Sequence, residues 1–191
     1  MDKITTRTQL NDWLSYELSR YPRGKKWYAR IFLVSEYQVL AKFHVLLRKA
    51  EYYHNSGRGI LATMTLIRLR RFQNRYCMRI PLNTCGRGLH FFHQGPVLIN
   101  KDAVIGENVS FHFNTAVVNK RTGEGAPVIG DNVMLGIGSV VMGNVSVADN
   151  VIVGANSVVN HSILEENVSV AGAPAKVVST RGTCKCERNN K

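Results

Sequence analysis

Ile129-Gly-Asp-Asn-Val-Met, Leu135-Gly-Ile-Gly-Ser-Val, Val141-Met-Gly-Asn-Val-Ser, Val147-Ala-Asp-Asn-Val-Ile and Val153-Gly-Ala-Asn-Ser-Val follow one another without a gap. An aliphatic residue leads each six, and Val159 leads the next. A small residue often comes second, as at Gly130, Gly136, Ala148 and Gly154. The fifth place is small or β-branched: Val133, Ser139, Val145, Val151 and Ser157. A fixed short period decides the fold and has to be read before any single helix or strand.

Six is the wrong period for an α-helix, whose apolar stripe returns every 3.6 residues. A lone amphipathic strand alternates by two over a longer run. A short strand plus a turn, repeated, does give six. The leading aliphatic then points into a narrow shaft. Gly and Asn in the turn supply positive φ or a side chain that bonds its own backbone. Three sixes make one triangular coil, and coils stack at the usual strand spacing of about 4.8 Å. The stretch predicts a mainly β fold, a parallel β-helix. The frame extends upstream through Ile99, Ile105, Phe111 and Val117. Val117 to Ile129 spans two periods, so the polar stretch 119–126 reads as a loop thrown out of the coil. Cys85, Phe91 and Val97 also keep the six, and Ile99 then arrives two residues after Val97.

Residues 1–76 have another texture. Thr8 to Ser19, Lys25 to Tyr53 and Gly59 to Arg75 carry apolar residues at helical intervals, with breaks at Pro22-Arg-Gly24 and Asn55-Ser-Gly57. Leu10, Trp13, Leu14 and Leu18 form one face; Ile31, Val34, Val39, Phe43, Leu46 and Leu47 form another. The expected organisation is a small helical region at 1–76, a β-helix at 77–178 and a polar tail at 179–191.

With 191 residues and 45% hydrophobic content, the chain suits one globular domain, or one domain with an appended piece, not a disordered segment. No apolar run is long enough to span a bilayer, and the first residues carry no apolar core with a cleavage site, so a cytoplasmic protein is expected. The net charge of +12 is concentrated in the first third, at Arg23, Lys25, Lys26, Arg30, Arg68, Arg70 and Arg71 among others. A basic solvated surface accounts for it, and no nucleic-acid partner is expected; basic helices also suit an anionic membrane or a partner. Cys184-Lys-Cys186 lacks the two-residue gap of a zinc knuckle, and no His-Glu-x-x-His, phosphate loop or dinucleotide fingerprint is present, so no metal is expected.

Asn83 to Asn100, Ala103 to Val109, Ala126 to Val133 and Val170 to Val178 resemble the bacterial hexapeptide-repeat acyltransferases, and among them the serine acetyltransferase branch. The two-residue slip before Ile99 also occurs in that branch. The resemblance implies a left-handed coil, an exception to the right-handed crossover rule that periodicity alone would not reveal. It also implies acetyl-CoA as acyl donor and a homotrimer, with a hexamer as the alternative.

The resemblance places the catalytic histidine at His93, and His112 at a second histidine step common in the branch. An alcohol is a poor nucleophile at neutral pH, and imidazole can take its proton during attack on a thioester. Positions matching the family's contacts to coenzyme A are Asn119, Ile137, Gly138 and Ala155, with Lys176 within reach of the nucleotide phosphates. Four departures stand out. Phe92 occupies the place of an Asp, Ala126 that of a loop histidine, Met78 that of an upstream Asp and Lys101 that of a Glu. Those groups orient the imidazole and grip serine's charged ends. Relatives that modify surface polysaccharide show the same simplified loop. The expectation is therefore an O-acetyltransferase acting on a sugar hydroxyl in cell-surface polysaccharide biosynthesis. The alternative is a serine O-acetyltransferase of cysteine biosynthesis.

Overall fold

The structure is a computed structural model, and it describes residues 2–21, 35–121 and 123–183. Arg23, Lys25, Lys26, Arg30, Ile31 and Val34, the break at 22–24, and the Cys184 and Cys186 tail lie outside the described residues. Two compact units divide the chain, Asp2–Cys77 and Met78–Lys191.

The first unit contains α1 (Arg7–Leu18), α2 (Glu36–Asn55) and α3 (Gly59–Tyr76). Thr6 opens α1 through a capping box: its hydroxyl accepts from the Gln9 amide, and the Gln9 side chain accepts from the Thr6 amide. Ser35 is extended at φ −74°, ψ 153°, so α2 starts at Glu36 and the single helical stretch expected over 25–53 is broken there. Cys77 takes a left-handed conformation, φ 55°, and stops α3 as the chain turns into the first strand. Ile4, Leu10, Trp13 and Tyr52 form one apolar cluster, while Leu40, Phe43, Leu47 and Leu69 are also fully covered.

Four charged or ionisable side chains are buried with them. Glu17, His44 and Arg48 are fully buried and Glu51 nearly so. Arg48 donates to Glu17 through Nη2 (2.7 Å) and Nε (3.1 Å) and to Glu51 through Nη1 (2.9 Å). His44 Nδ1 lies 2.9 Å from Glu17 Oε2, and Nε2 lies 2.9 Å from the Tyr21 hydroxyl. Burial alone would push the Glu17 carboxyl up, but Arg48 and His44 outweigh it and hold it at about 2.

The second unit is a stack of coils with three faces. The six-stranded face comprises β2 (His90–Phe91), β5 (Ser110–Phe111), β8 (Met134–Leu135), β11 (Ile152–Val153), β13 (Ser169–Ala171) and β14 (Lys176–Ser179). The five-stranded face comprises β1 (Met78–Arg79), β3 (Val97–Ile99), β6 (Thr115–Val118), β9 (Val140–Met142) and β12 (Val158–Val159). The last face has β4 (Val104–Ile105), β7 (Val128–Ile129) and β10 (Ser146–Val147). All neighbours pair in parallel except β13 and β14, which are antiparallel.

The leading aliphatics are the core. Ile129, Leu135, Val141, Val147, Val153 and Val159 are all at most 2% exposed, and Ile99, Ile105, Phe111 and Val117 join them. Like residues stand above one another: Phe91 pairs with Phe111, Phe111 with Leu135, and Leu135 with Val153. The corners turn on positive φ at Asn108, Asn114, Asn132, Asn150 and Asn156, which explains the recurrent Asn of the sixes. The end of the coil is tied down further than the expected tail boundary. Thr183 donates its amide to the Asn150 carbonyl at 2.9 Å, and its hydroxyl bonds the Asn132 carbonyl at 2.5 Å.

Candidate active site

Strand register fixes what sits at the corner between the six-stranded and five-stranded faces. Phe111, Leu135 and Val153 are aligned inward, so His112, Gly136 and Gly154 follow them on successive coils. The coil bonds agree with this alignment: His112 N–H donates to the Leu135 carbonyl (3.0 Å) and Gly136 N–H to the Val153 carbonyl (2.8 Å). One residue further on stand Phe113, Ile137 and Ala155. Gly138 donates to the Phe113 carbonyl (3.0 Å) and Asn156 to the Ile137 carbonyl (2.8 Å).

The first coil enters this corner with two residues too many. Phe91 aligns with Phe111 and Ile99 with Val117, so the path from Phe91 to Ile99 is two residues longer than that from Phe111 to Val117. The slip read in the sequence is thus a local lengthening of one turn. His93, Gln94 and Gly95 lie in it, and His93 is exposed. Gly95 has φ 147°, and a Cβ there would run into the Phe113 ring, so the ring closes over the backbone of the bulge.

Phe92, in the place of the expected Asp, makes a stack. Its ring lies 4.1 Å from the His112 ring at 14°, and the His90 ring meets it edge-on at 4.9 Å. The stack spacing follows from the coil rise, because Phe92 and His112 are consecutive rungs of one column: Phe92 N–H donates to the Phe111 carbonyl at 3.1 Å. His112 is half-buried, and burial first, then the nearby His93, pushes its pKa below the ordinary imidazole value. Both predicted histidines therefore share one corner, and His93 bears on His112 electrostatically.

The predicted cofactor residues divide. Ile137 and Ala155 are exposed directly below the two histidines, with Gly138 at φ 69° beside them. Lys176 aligns with Ala171, one rung below Gly154, and its side chain is exposed. Asn119 is elsewhere: it follows β6, at the next corner round. There its Oδ1 accepts from Asn100 Nδ2 and its Nδ2 donates to the Arg121 carbonyl, both at 2.9 Å, pinning the root of the 119–126 loop. Below the rings the corner has no side chain at Gly136 or Gly154, which leaves backbone and small groups, a surface suited to a narrow, flexible chain such as pantetheine. Met78 is fully buried in β1, so the position of the upstream acid is filled by core. Among the described residues no group of three or more His, Cys, Asp or Glu is placed to hold a metal ion.

Residues 126–161 match the family model for the bacterial transferase hexapeptide (six repeats). Serine acetyltransferase 2 of Arabidopsis thaliana is 33% identical over 144 residues, covering 73% of this chain and 43% of that protein. The chain is a hexapeptide-repeat protein of the serine acetyltransferase-like branch. Among solved structures, soybean serine acetyltransferase (apoenzyme) superposes with a TM-score of 0.67 at 25% identity, covering 90% of this chain and 69% of that one. Serine acetyltransferase from Brucella abortus strain S19, in complex with coenzyme A, gives a TM-score of 0.67 at 20% identity, covering 93% and 71%. The coil of this hexapeptide-repeat protein is accordingly a left-handed parallel β-helix. Against the curated relatives it matches, the chain spans between 16% and 54% of their length.

These findings overturn the expectation of a sugar acceptor in polysaccharide biosynthesis. The relatives and solved neighbours are serine acetyltransferases. That expectation rested on missing acids at Phe92, Met78 and Lys101, on the missing loop histidine at Ala126 and on the simplified loop. In the fold two of these places are occupied by packing, Phe92 in a ring stack and Met78 in the core.

Among the described residues no helix is long and apolar enough to cross a membrane.

Proposed function

We propose that the protein is an acetyl-CoA-dependent serine O-acetyltransferase, with His93 as its base. The observation that carries the reading is the lengthened corner, which exposes His93 beside the ring-stacked His112 in a coil of serine acetyltransferase type. The serine hydroxyl attacks the thioester carbonyl carbon while His93 takes its proton. The C–S bond breaks as the tetrahedral centre collapses, and the imidazolium returns the proton to the departing thiolate. His112, held neutral by its buried setting, hydrogen-bonds the acceptor in the same cleft.

Ile137, Gly138 and Ala155 line the pantetheine path, and Lys176 meets the nucleotide phosphates as a point charge. The outward side of the five-stranded face supports a homotrimer. Leu98 is 42% exposed there, and Ala116, Val140 and Val158 follow it on successive rungs, an apolar ladder suited to a second copy. In that assembly Asn119 serves the site from the neighbouring copy's corner.

The test follows coenzyme A thiol release with L-serine as acceptor. His93→Ala is expected to lower kcat by about 10²–10⁴-fold with the fold intact by circular dichroism. Undiminished turnover in that variant removes the base assignment, and absence of serine-dependent release in the unaltered protein removes the acceptor.

A further inference from the structure

α3 (Gly59–Tyr76) has two faces of opposite fate. Thr65, Leu69 and Phe72 turn into the helical unit and are buried. On the side opposite them, at the spacing of successive turns, stand Ile60 (80% exposed), Met64 (47%) and Ile67 (48%), with Leu61 (42%) at the margin. Arg68, Arg70, Arg71 and Arg75 continue that side toward the helix end, all exposed. No Asp or Glu occurs anywhere from Tyr52 to Lys101. On the neighbouring α2 the acids are Glu51, buried against Arg48, and Glu36 in the first turn, a single carboxylate against four arginines.

We propose that this face of α3 docks the protein peripherally on an anionic lipid surface. A helix that shows large aliphatic side chains beside a cluster of arginines, with its other side anchored in a folded unit, has the form of an interfacial element. Ile60, Met64 and Ile67 enter the headgroup–acyl boundary, and the arginines meet lipid phosphates, where each cation adds attraction that decays within a Debye length. Charge separates this occupant from the others. A second copy pairing through the same face would set one acid-free arginine cluster against another in a chain of net charge +12. A nucleic acid would answer the arginines but leave three adjoining aliphatic side chains in water. An anionic bilayer satisfies both halves of the face.

The experiment is co-sedimentation of the full chain with vesicles of phosphatidylcholine alone, or with ~30 mol% phosphatidylglycerol, at about 0.15 M and about 0.5 M NaCl. Partition into the anionic vesicles only, largely lost at the higher salt, is expected. Ile60→Ser with Ile67→Ser is expected to reduce partition about tenfold or more. Arg68→Gln and Arg71→Gln are each expected to reduce it roughly fivefold. Every substituted side chain is exposed, so melting temperature and sedimentation mass without lipid should match the unaltered protein. Failure to bind the anionic vesicles overturns the proposal. So does binding indifferent to the isoleucine pair, which means charge alone acts. A change of oligomeric mass in that variant also overturns it, by assigning the face to another copy of the chain; so does tighter retention by single-stranded RNA than by vesicles.

Discussion

His112 is held by three neighbours of different kinds: the Phe92 ring at 4.1 Å, its own half-burial, and the charge of His93. Burial and His93 both work against an imidazolium at 112. His112 therefore stays neutral to a lower pH than free imidazole, and an NMR titration should place its midpoint below 6.5. Replacing His93 with Asn removes the second cause and leaves the first, so the midpoint should move up without reaching the free value. A midpoint unmoved by that replacement would mean that His93 exerts no field there. The stack itself was not legible in the sequence. Phe92 read as a missing acid, because its contact with His112 exists only once the coil length of that turn is known. The histidines were legible as residues, and their spacing from the frame was too; their mutual influence required the register.

At the scale of elements, the sixes were readable because the inward positions must be apolar in every coil, whatever lies outside. Gly136 shows what that closeness demands. A Cβ there would meet the Val153 carbonyl oxygen at 2.7 Å and the Ala155 nitrogen at 2.9 Å, both main chain and unable to yield. Gly136→Val should cost about 1–3 kcal/mol and lower the melting temperature. Gly59, at the start of α3, is the contrast, since a Cβ there would have nothing within 4 Å: Gly59→Ala should be neutral or stabilise by about 0.5–1 kcal/mol. The helical unit was less legible. Its apolar faces are legible, but the buried Glu17–Arg48 pair is not, since a pair separated by 31 residues becomes visible only after packing. Removing one partner of that buried set, as in Glu17→Ala, should cost about 3–5 kcal/mol in denaturant unfolding. Acid should act on the same group. The native carboxyl holds off its proton until about 2, whereas the unfolded one takes it near 4.5. Its contribution is therefore complete above about 4.5 and drains away as the pH falls toward 2. Glu17→Gln should flatten the stability profile over that window.

For the whole molecule, the apolar ladder on the five-stranded face is the surface proposed for assembly. Leu98→Lys with Val140→Lys places two charges on one face, two rungs apart, and analytical ultracentrifugation is expected to find monomer in place of the proposed trimer. Persistence of the trimer would move the interface to another face. Fold class followed from a six-residue period, and hand and acceptor did not, because neither is encoded in spacing. Hand came with the family resemblance and is borne out by the structural likeness, and the acceptor reading is overturned by the relatives. The last strand has a consequence of its own. Every rung from β2 to β13 runs the same way, and a stack of identical rungs offers its lower rim as a template for the next molecule. Lys176–Ser179 runs backwards along that rim. Whatever meets the bottom of that face meets a reversed strand, so a second molecule finds no parallel rung there to continue.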